Sequence, residues 1–373
     1  MRIVPTNCVI GEAYLAKNLY SSSGNTLLKK GTRLTDQLLK RIEENNIFTI
    51  YIDDGYSDKE IQDLVRPELR NRAVQALKET FSFIEKSNAI EKKLDLGLKK
   101  NLMIKSMEKY IQNLKAVSEM IIEELSTNHQ LMINLVDIKN LDNYTYEHSL
   151  SVAVMSLIVG LELKMNHKEL SQLFLGALLH DVGKSLLPKE LITKTTAYTP
   201  AEIELIKMHP TLGFDYIKEN YSFSTSCKMA VLQHHERFDS TGYPKGLSGN
   251  IIHRHAKIIA IIDAYDSMTS DTYQSRALPP NEAIEFIMGS CGSQFDIELA
   301  TIFTHKIVPY PEGTIVKLSN STYGVVVHVN IDFPMRPRVR ILEKYVSIEN
   351  MKVIDLMTST NITILGIQYV VPK

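Results

Sequence analysis

The chain has 373 residues, 44% hydrophobic and 23% charged, which excludes low-complexity disorder and collagen-like repeats and leaves enough apolar surface for a sizeable core. Forty-two Lys and Arg against 43 Asp and Glu leave a formal charge of -1, so there is no basic field to steer duplex nucleic acid. The far-apart Cys8, Cys227 and Cys291 make no disulfide framework, no apolar run is long enough to span a membrane, and the start lacks a secretory signal, so a cytoplasmic protein of two or three domains is expected.

Residues 1–60 read as a small β or α/β module. Short apolar runs are broken by Pro5, Gly11, Gly24 and Gly31, Thr35 is placed to cap a short helix, and Ile47–Ile52 reads as a strand. Residues 61–135 change to long amphipathic helices, with Leu69, Ala73, Ala76, Leu77, Phe81 and Ile84 at helical spacing, as are Ile111, Leu114, Val117, Ile121 and Leu125. This connector either packs on the next domain or forms a signalling or dimerisation helix pair. Residues 136–305 are apolar and mostly helical. From 306 to 373 the period shifts, and four runs (314–318, 324–329, 338–342 and 362–365) read as strands of a compact C-terminal β unit. The expected class is mainly α, with an all-α central bundle between the two small units.

Six of the eleven histidines lie between 148 and 235, and five of them (His148, His180, His209, His234 and His235) fall where helical spacing aims them inward. His148 shares a helix face with Val152, Met155 and Val159. Leu173, Ala177, His180, Asp181 and Lys184 lie along one helical stripe, and Cys227, Ala230, Val231, His234 and His235 repeat the pattern. Asp263 sits beside Ile259 and Ile262 in a further apolar helix. Burying so many ionisable groups unpaired costs several kcal/mol per charge, so they must pair, line a wet cavity or bind metal. Five imidazoles and two carboxylates do not satisfy one another as a closed set. They exceed one tetrahedral zinc, and they suit two octahedral ions with positions open to water and substrate. Lys184 falls where it can reach an oxygen bound to the metals.

The sequence resembles the HD-domain phosphohydrolases, and among them the HD-GYP group. The resemblance is carried by His180-Asp181-Val182-Gly183-Lys184, by the run His234-His235-Glu236-Arg237-Phe238-Asp239-Ser240-Thr241-Gly242-Tyr243-Pro244, and by the pieces around His148, His209 and Asp263. It implies a bacterial phosphodiesterase that linearises cyclic di-GMP to pGpG or on to GMP. One metal would take His148, His180, Asp181 and Asp263, the other Asp181, His209, His234 and His235, with iron or manganese as the ions. Asp181 and Lys184 are then the catalytic residues, and Arg237, Gly242, Tyr243, Pro244 and Arg276 the expected substrate contacts. The Gly242-Tyr243-Pro244 loop is also where a diguanylate cyclase (GGDEF) partner would dock, and a homodimer through the long helices fits the pattern.

Three positions depart from the group. Tyr144 stands where a three-metal subgroup has glutamate, so two metals are expected. Ser240 replaces a glycine, at a cost of about 1 kcal/mol if φ is positive there. After Asp271 the chain reads Thr272-Tyr273-Gln274-Ser275-Arg276 in place of Arg-Pro-Tyr and a further basic residue, with Arg276 displaced by one position. This keeps open the same chemistry on another cyclic dinucleotide or phosphoester, and a non-catalytic sensor that holds nucleotide or partner.

Overall fold

The computed structural model describes residues 1–21, 25–56, 61, 63–91, 97–127, 131–134, 143–220, 223–272, 275–343, 346 and 350–370. The expected boundary at 135–136, His129 and Tyr273-Gln274 lie outside the described residues.

The first unit comprises β1 (Arg2–Pro5), β2 (Tyr14–Leu15), β3 (Leu19–Tyr20), β4 (Thr26–Leu28), α1 (Asp36–Glu44) and β5 (Thr49–Asp53). β5 runs between β1 and β2, antiparallel to both, and β3 pairs with β4. Strand alternation sends Val4, Leu15, Ile50 and Ile52 into one small core with Leu34, Ile42 and Ile47. Thr35 Oγ1 accepts the Leu38 N–H at 3.3 Å and starts α1. The strand begins later than the apolar run suggests. Asn46 takes a positive φ of 59° and the Ile47 N–H still bonds the Ile42 carbonyl, so Ile47 belongs to the turn that closes α1.

Next come α2 (Pro67–Glu91) and α3 (Gly97–Ser126). Arg66 bonds Glu124 through its backbone N–H and its guanidinium, which sets the start of α2 beside the end of α3. After β6 (Ile133–Asn134) the bundle follows: α4 (Tyr144–Glu162), α5 (His167–Leu179), a 3-10 turn at Val182–Leu186, α6 (Lys189–Ile192), α7 (Pro200–Ile206), α8 (His209–Asn220), α9 (Thr225–Gln233), α10 (Arg254–Met268), α11 (Pro280–Gly289) and α12 (Ile297–Lys306). Capping boxes at Asn166/Glu169 and Thr199/Glu202 start α5 and α7, and Ser224 and Asp296 cap α9 and α12. α4 is buried on every side from His148 to Gly160, so it runs through the middle of the bundle. One core extends from Val65 to Ile307, and Leu77, Phe81, Leu114 and Ile121 of the long helices share it with Val152, Leu173 and Ile259. Each fully buried aliphatic side chain there contributes about 1.5–3 kcal/mol.

The chain then forms β7 (Ile307–Val308), β8 (Ile315–Leu318), β9 (Tyr323–His328), β10 (Arg338–Ile341), β11 (Val353–Asp355) and β12 (Ile364–Ile367). The last five make one antiparallel sheet in the order β11-β10-β9-β8-β12 over a core of Val316, Leu318, Val326, Val339 and Leu356. β11 is one strand more than the sequence reading contains. It is three residues long and none of them is fully buried, so it has almost no apolar signature.

Candidate metal centre

The helices that carry the histidines stop sooner than their apolar stripes suggest. α5 ends at Leu179, His180 caps it, and Asp181 (φ -95°, ψ 7°) turns the chain into the 3-10 segment. The expected continuous stripe from Leu173 to Lys184 is therefore corrected. Its cause is long-range. A Cβ on Gly183 would lie 1.9 Å from the His209 carbonyl oxygen, so the turn is pressed against the start of α8. Likewise α9 ends at Gln233, leaving His234 as its C-cap and His235 beyond it.

These helix ends hold the rings. His180 Nδ1 donates to the Ala177 carbonyl at 2.7 Å, His209 Nδ1 to Ile206 at 2.7 Å, and His234 Nδ1 to Val231 at 2.8 Å. In each case the acceptor is a carbonyl three residues earlier, one of the groups a helix terminus leaves free. A carbonyl can only accept, so Nδ1 carries the proton and Nε2 keeps its lone pair. His148 is held differently, with Nδ1 2.6 Å from Asp266 Oδ2.

The seven expected ligands converge as two groups. Asp181, His209, His234 and His235 form one, and His148, His180 and Asp263 the other, with ligand atoms within 4.8 Å of each other in each group. Asp181 faces both: Oδ1 lies 3.3 Å from His209 Nε2, and Oδ2 lies 3.4 Å from His180 Nε2 and 3.8 Å from His148 Nε2. Asp263 Oδ1 is 3.1 Å from His148 Nε2. Lys184 Nζ rests 2.6 Å from Asp181 Oδ2 with its side chain 30% exposed.

The donor set fits divalent cations. His180 Nε2 and Asp181 Oδ1 are buried with no hydrogen-bond partner, and His209 Nε2 faces His234 Nε2 at 3.2 Å with a lone pair on each. Such an arrangement is costly unless a cation accepts those electron pairs. Protonation is not the remedy the site favours. Burial and like-charged neighbours hold His209 down to about 3 and His235 to about 4, and hold His234 well below the ordinary imidazole range. Burial raises the Asp181 carboxyl, but Lys184 and His180 outweigh it and hold the group well below the carboxylate range. His148 goes the other way: burial lowers it, and its bonds to Asp263 and Asp266 raise it to about 9.

A matching HD domain spans residues 104–299. The chain belongs to the HD-domain family. A second match, a KOW domain associated with HD domain, covers residues 315–368, the C-terminal sheet. The HD-domain relatives include the cyclic di-GMP phosphodiesterase PA4108 of Pseudomonas aeruginosa, 31% identical over 210 residues, 56% of this chain and 50% of the relative. The 3'3'-cGAMP-specific phosphodiesterase 1 of Vibrio cholerae is 32% identical over 173 residues, 46% of this chain and 39% of the relative. The chain thus spans about half the length, or less, of these curated relatives. Among solved structures, Bd1817, an HDG"Y"P protein from Bdellovibrio bacteriovorus, shares the fold at 19% identity and a TM-score of 0.51, covering 81% of this chain and 97% of that one.

Beside the His/Asp cluster, hydrogen bonds and ring stacking hold the loop after His235. Glu236 is buried and accepts the N–H groups of Lys245 (2.8 Å) and Leu247 (2.9 Å). The Tyr243 ring stacks on His235 at 4.8 Å, and a Cβ on Gly242 would lie 2.3 Å from the Arg237 nitrogen. Ser240 does adopt the expected left-handed conformation, at φ 70°. Arg237 is exposed beside this loop. Arg276 is not brought to the ligands: its guanidinium lies 4.1 Å over the Phe48 ring of the first unit and 3.7 Å from Asp271.

The sequence reading missed two supporting carboxylates. Asp266 lies one helical turn beyond Asp263, a spacing that could have revealed it. Glu236, inside the His234–Pro244 run, had no local signal. Tyr144 stacks parallel on His148 at 5.5 Å and walls that side of the centre. No helix among the described residues is long and apolar enough to cross a membrane.

Proposed function

We propose that this chain is a metal-dependent phosphodiesterase that opens a cyclic dinucleotide, cyclic di-GMP before others, to a linear product. The observation that carries the reading is Asp181, whose two oxygens face two ligand groups that hold orphaned acceptor atoms. Two divalent ions, iron or manganese by the mixed imidazole and carboxylate donors, would supply Lewis acidity to the phosphodiester and lower the pKa of an attacking water.

The protein's own groups perform the rest. His180, His209 and His234 present Nε2 because helix-end carbonyls occupy Nδ1, and Asp266 orients His148 in the same sense. The Lys184 ammonium is desolvated, which lowers its pKa, but Asp181 raises it further, so it stays cationic. A cation fixed there meets the charge that develops on a phosphoryl oxygen. Tyr243 and the Glu236-held loop shield one side of the centre from water.

A second reading, turnover of a cyclic GMP-AMP, is supported by the Vibrio cholerae relative and by the diversion of Arg276 onto Phe48. The test is anaerobic turnover of cyclic di-GMP and 3'3'-cGAMP by Fe(II)- or Mn(II)-loaded protein, with products resolved by anion exchange. A linear dinucleotide or mononucleotide that disappears in Asp181→Ala is expected. Protein shown to hold two metals that converts neither substrate overturns the assignment.

A further inference from the structure

α10 carries Asp263 and Asp266 and ends at Met268, and the chain leaving it lines a cavity of about 600 Å³. The first unit, the segment after α10 and the C-terminal β unit all contribute to its walls, and none of the seven grouped ligands lines it. Cavities of this size at a junction of units are where small molecules bind. The lining is largely apolar, with Ile3, Leu278 and Ile367 in it, and its polar groups converge. The Arg276 guanidinium covers the Phe48 ring at 4.1 Å, and its side chain is 67% exposed, so the outer face of that stack is open. Asp271, 3.7 Å from Arg276, accepts from Thr49 Oγ1 at 3.3 Å and from the Ala277 N–H at 3.2 Å. A carboxylate has about four lone-pair sites, so Asp271 keeps acceptor capacity.

We propose that this cavity binds a planar heteroaromatic ring with adjacent N–H donors, a guanine base being the simplest, stacked on Arg276 and hydrogen-bonded to Asp271. A flat guanidinium stacks on any base face, and stacking alone does not choose among bases. The choice comes from the carboxylate: the N1–H and N2–H donors of guanine lie side by side and match its two oxygens. The bound ring rests against Thr269–Asp271, the direct continuation of the helix that carries Asp263. The proposal does not depend on the phosphodiesterase reading.

Isothermal titration of the full chain with guanosine, GMP and inosine tests it. One guanosine per chain is expected, with GMP equally tight and inosine, which lacks the 2-amino group, at least tenfold weaker. Asp271→Asn and Arg276→Ala should each weaken guanosine at least tenfold, with melting temperatures checked to show that both variants are folded. Asp181→Ala, at the metal centre and likewise shown by its melting temperature to be folded, should bind it unchanged. No saturable binding, binding indifferent to both cavity substitutions, inosine as tight as guanosine, or loss in Asp181→Ala would each overturn the proposal.

Discussion

His209 Nε2 and His234 Nε2 face each other at 3.2 Å, and neither nitrogen carries a proton, because each ring donates its Nδ1–H to a carbonyl. Two lone pairs aimed at one point repel unless a cation lies near both. Stripping metal with a chelator is therefore expected to destabilise the protein by about 4 kcal/mol, relative to free ion at a thousandfold excess over its dissociation constant. Asp181→Ala should lower the metal content from two ions per chain to one or none. Thermal melts with and without chelator, together with elemental analysis, check both statements.

Asp266 touches His148 and not a ligand position on the opposite group, so its effect should appear in affinity before activity. Asp266→Asn retains the shape and loses the charge that orients the ring at 2.6 Å. Metal affinity is expected to fall about 10–100-fold. Competition against a chromophoric chelator reads this directly, and an unchanged affinity would remove Asp266 from the centre.

The loop offers opposite outcomes two residues apart. Ser240 occupies φ 70°, which glycine adopts freely, so Ser240→Gly should stabilise by about 0.5–1 kcal/mol. Gly242→Ala forces a Cβ to 2.5 Å from the Glu236 Cα and should cost about 2–3 kcal/mol while displacing Tyr243 from His235. Denaturant titration of both variants measures the pair.

His255 is buried, and burial with the neighbouring His253 lowers its pKa from 6.5 to about 4. The unfolded chain then binds more protons than the folded one between those values. Stability contributed by the neutral ring is complete above about pH 6.5, falls as the pH drops, and levels off below about 4, a loss of about 3 kcal/mol. His255→Leu should flatten that part of the pH–stability curve. Urea midpoints from pH 7 to pH 4 are the measurement.

The seven residues of the His/Asp cluster were legible because ionisable side chains on otherwise apolar helical stripes are anomalous, and the anomaly has few physical resolutions. The small sheets were legible from alternation, as with Val4, Ile50 and Ile52. What the sequence did not disclose depends on contacts between distant segments. The end of α5 follows from Gly183 meeting the His209 backbone, and no local propensity marks it. The place of Arg276 depends on Phe48, which is far away in the chain. Asp266 was passed over although its spacing of one helical turn from Asp263 marked it, because only the fold shows that it meets His148.

The two-residue strands β6 and β7 pair in parallel, Ile133 with Ile307 and Asn134 with Val308. The chain therefore enters and leaves the α4–α12 bundle through one hydrogen-bonded gate. The gate is not the only tie: α2 and α3 share the bundle's core, so strain applied to the N-terminal flank reaches the helices around Asp181 through packed side chains as well as through this short ladder.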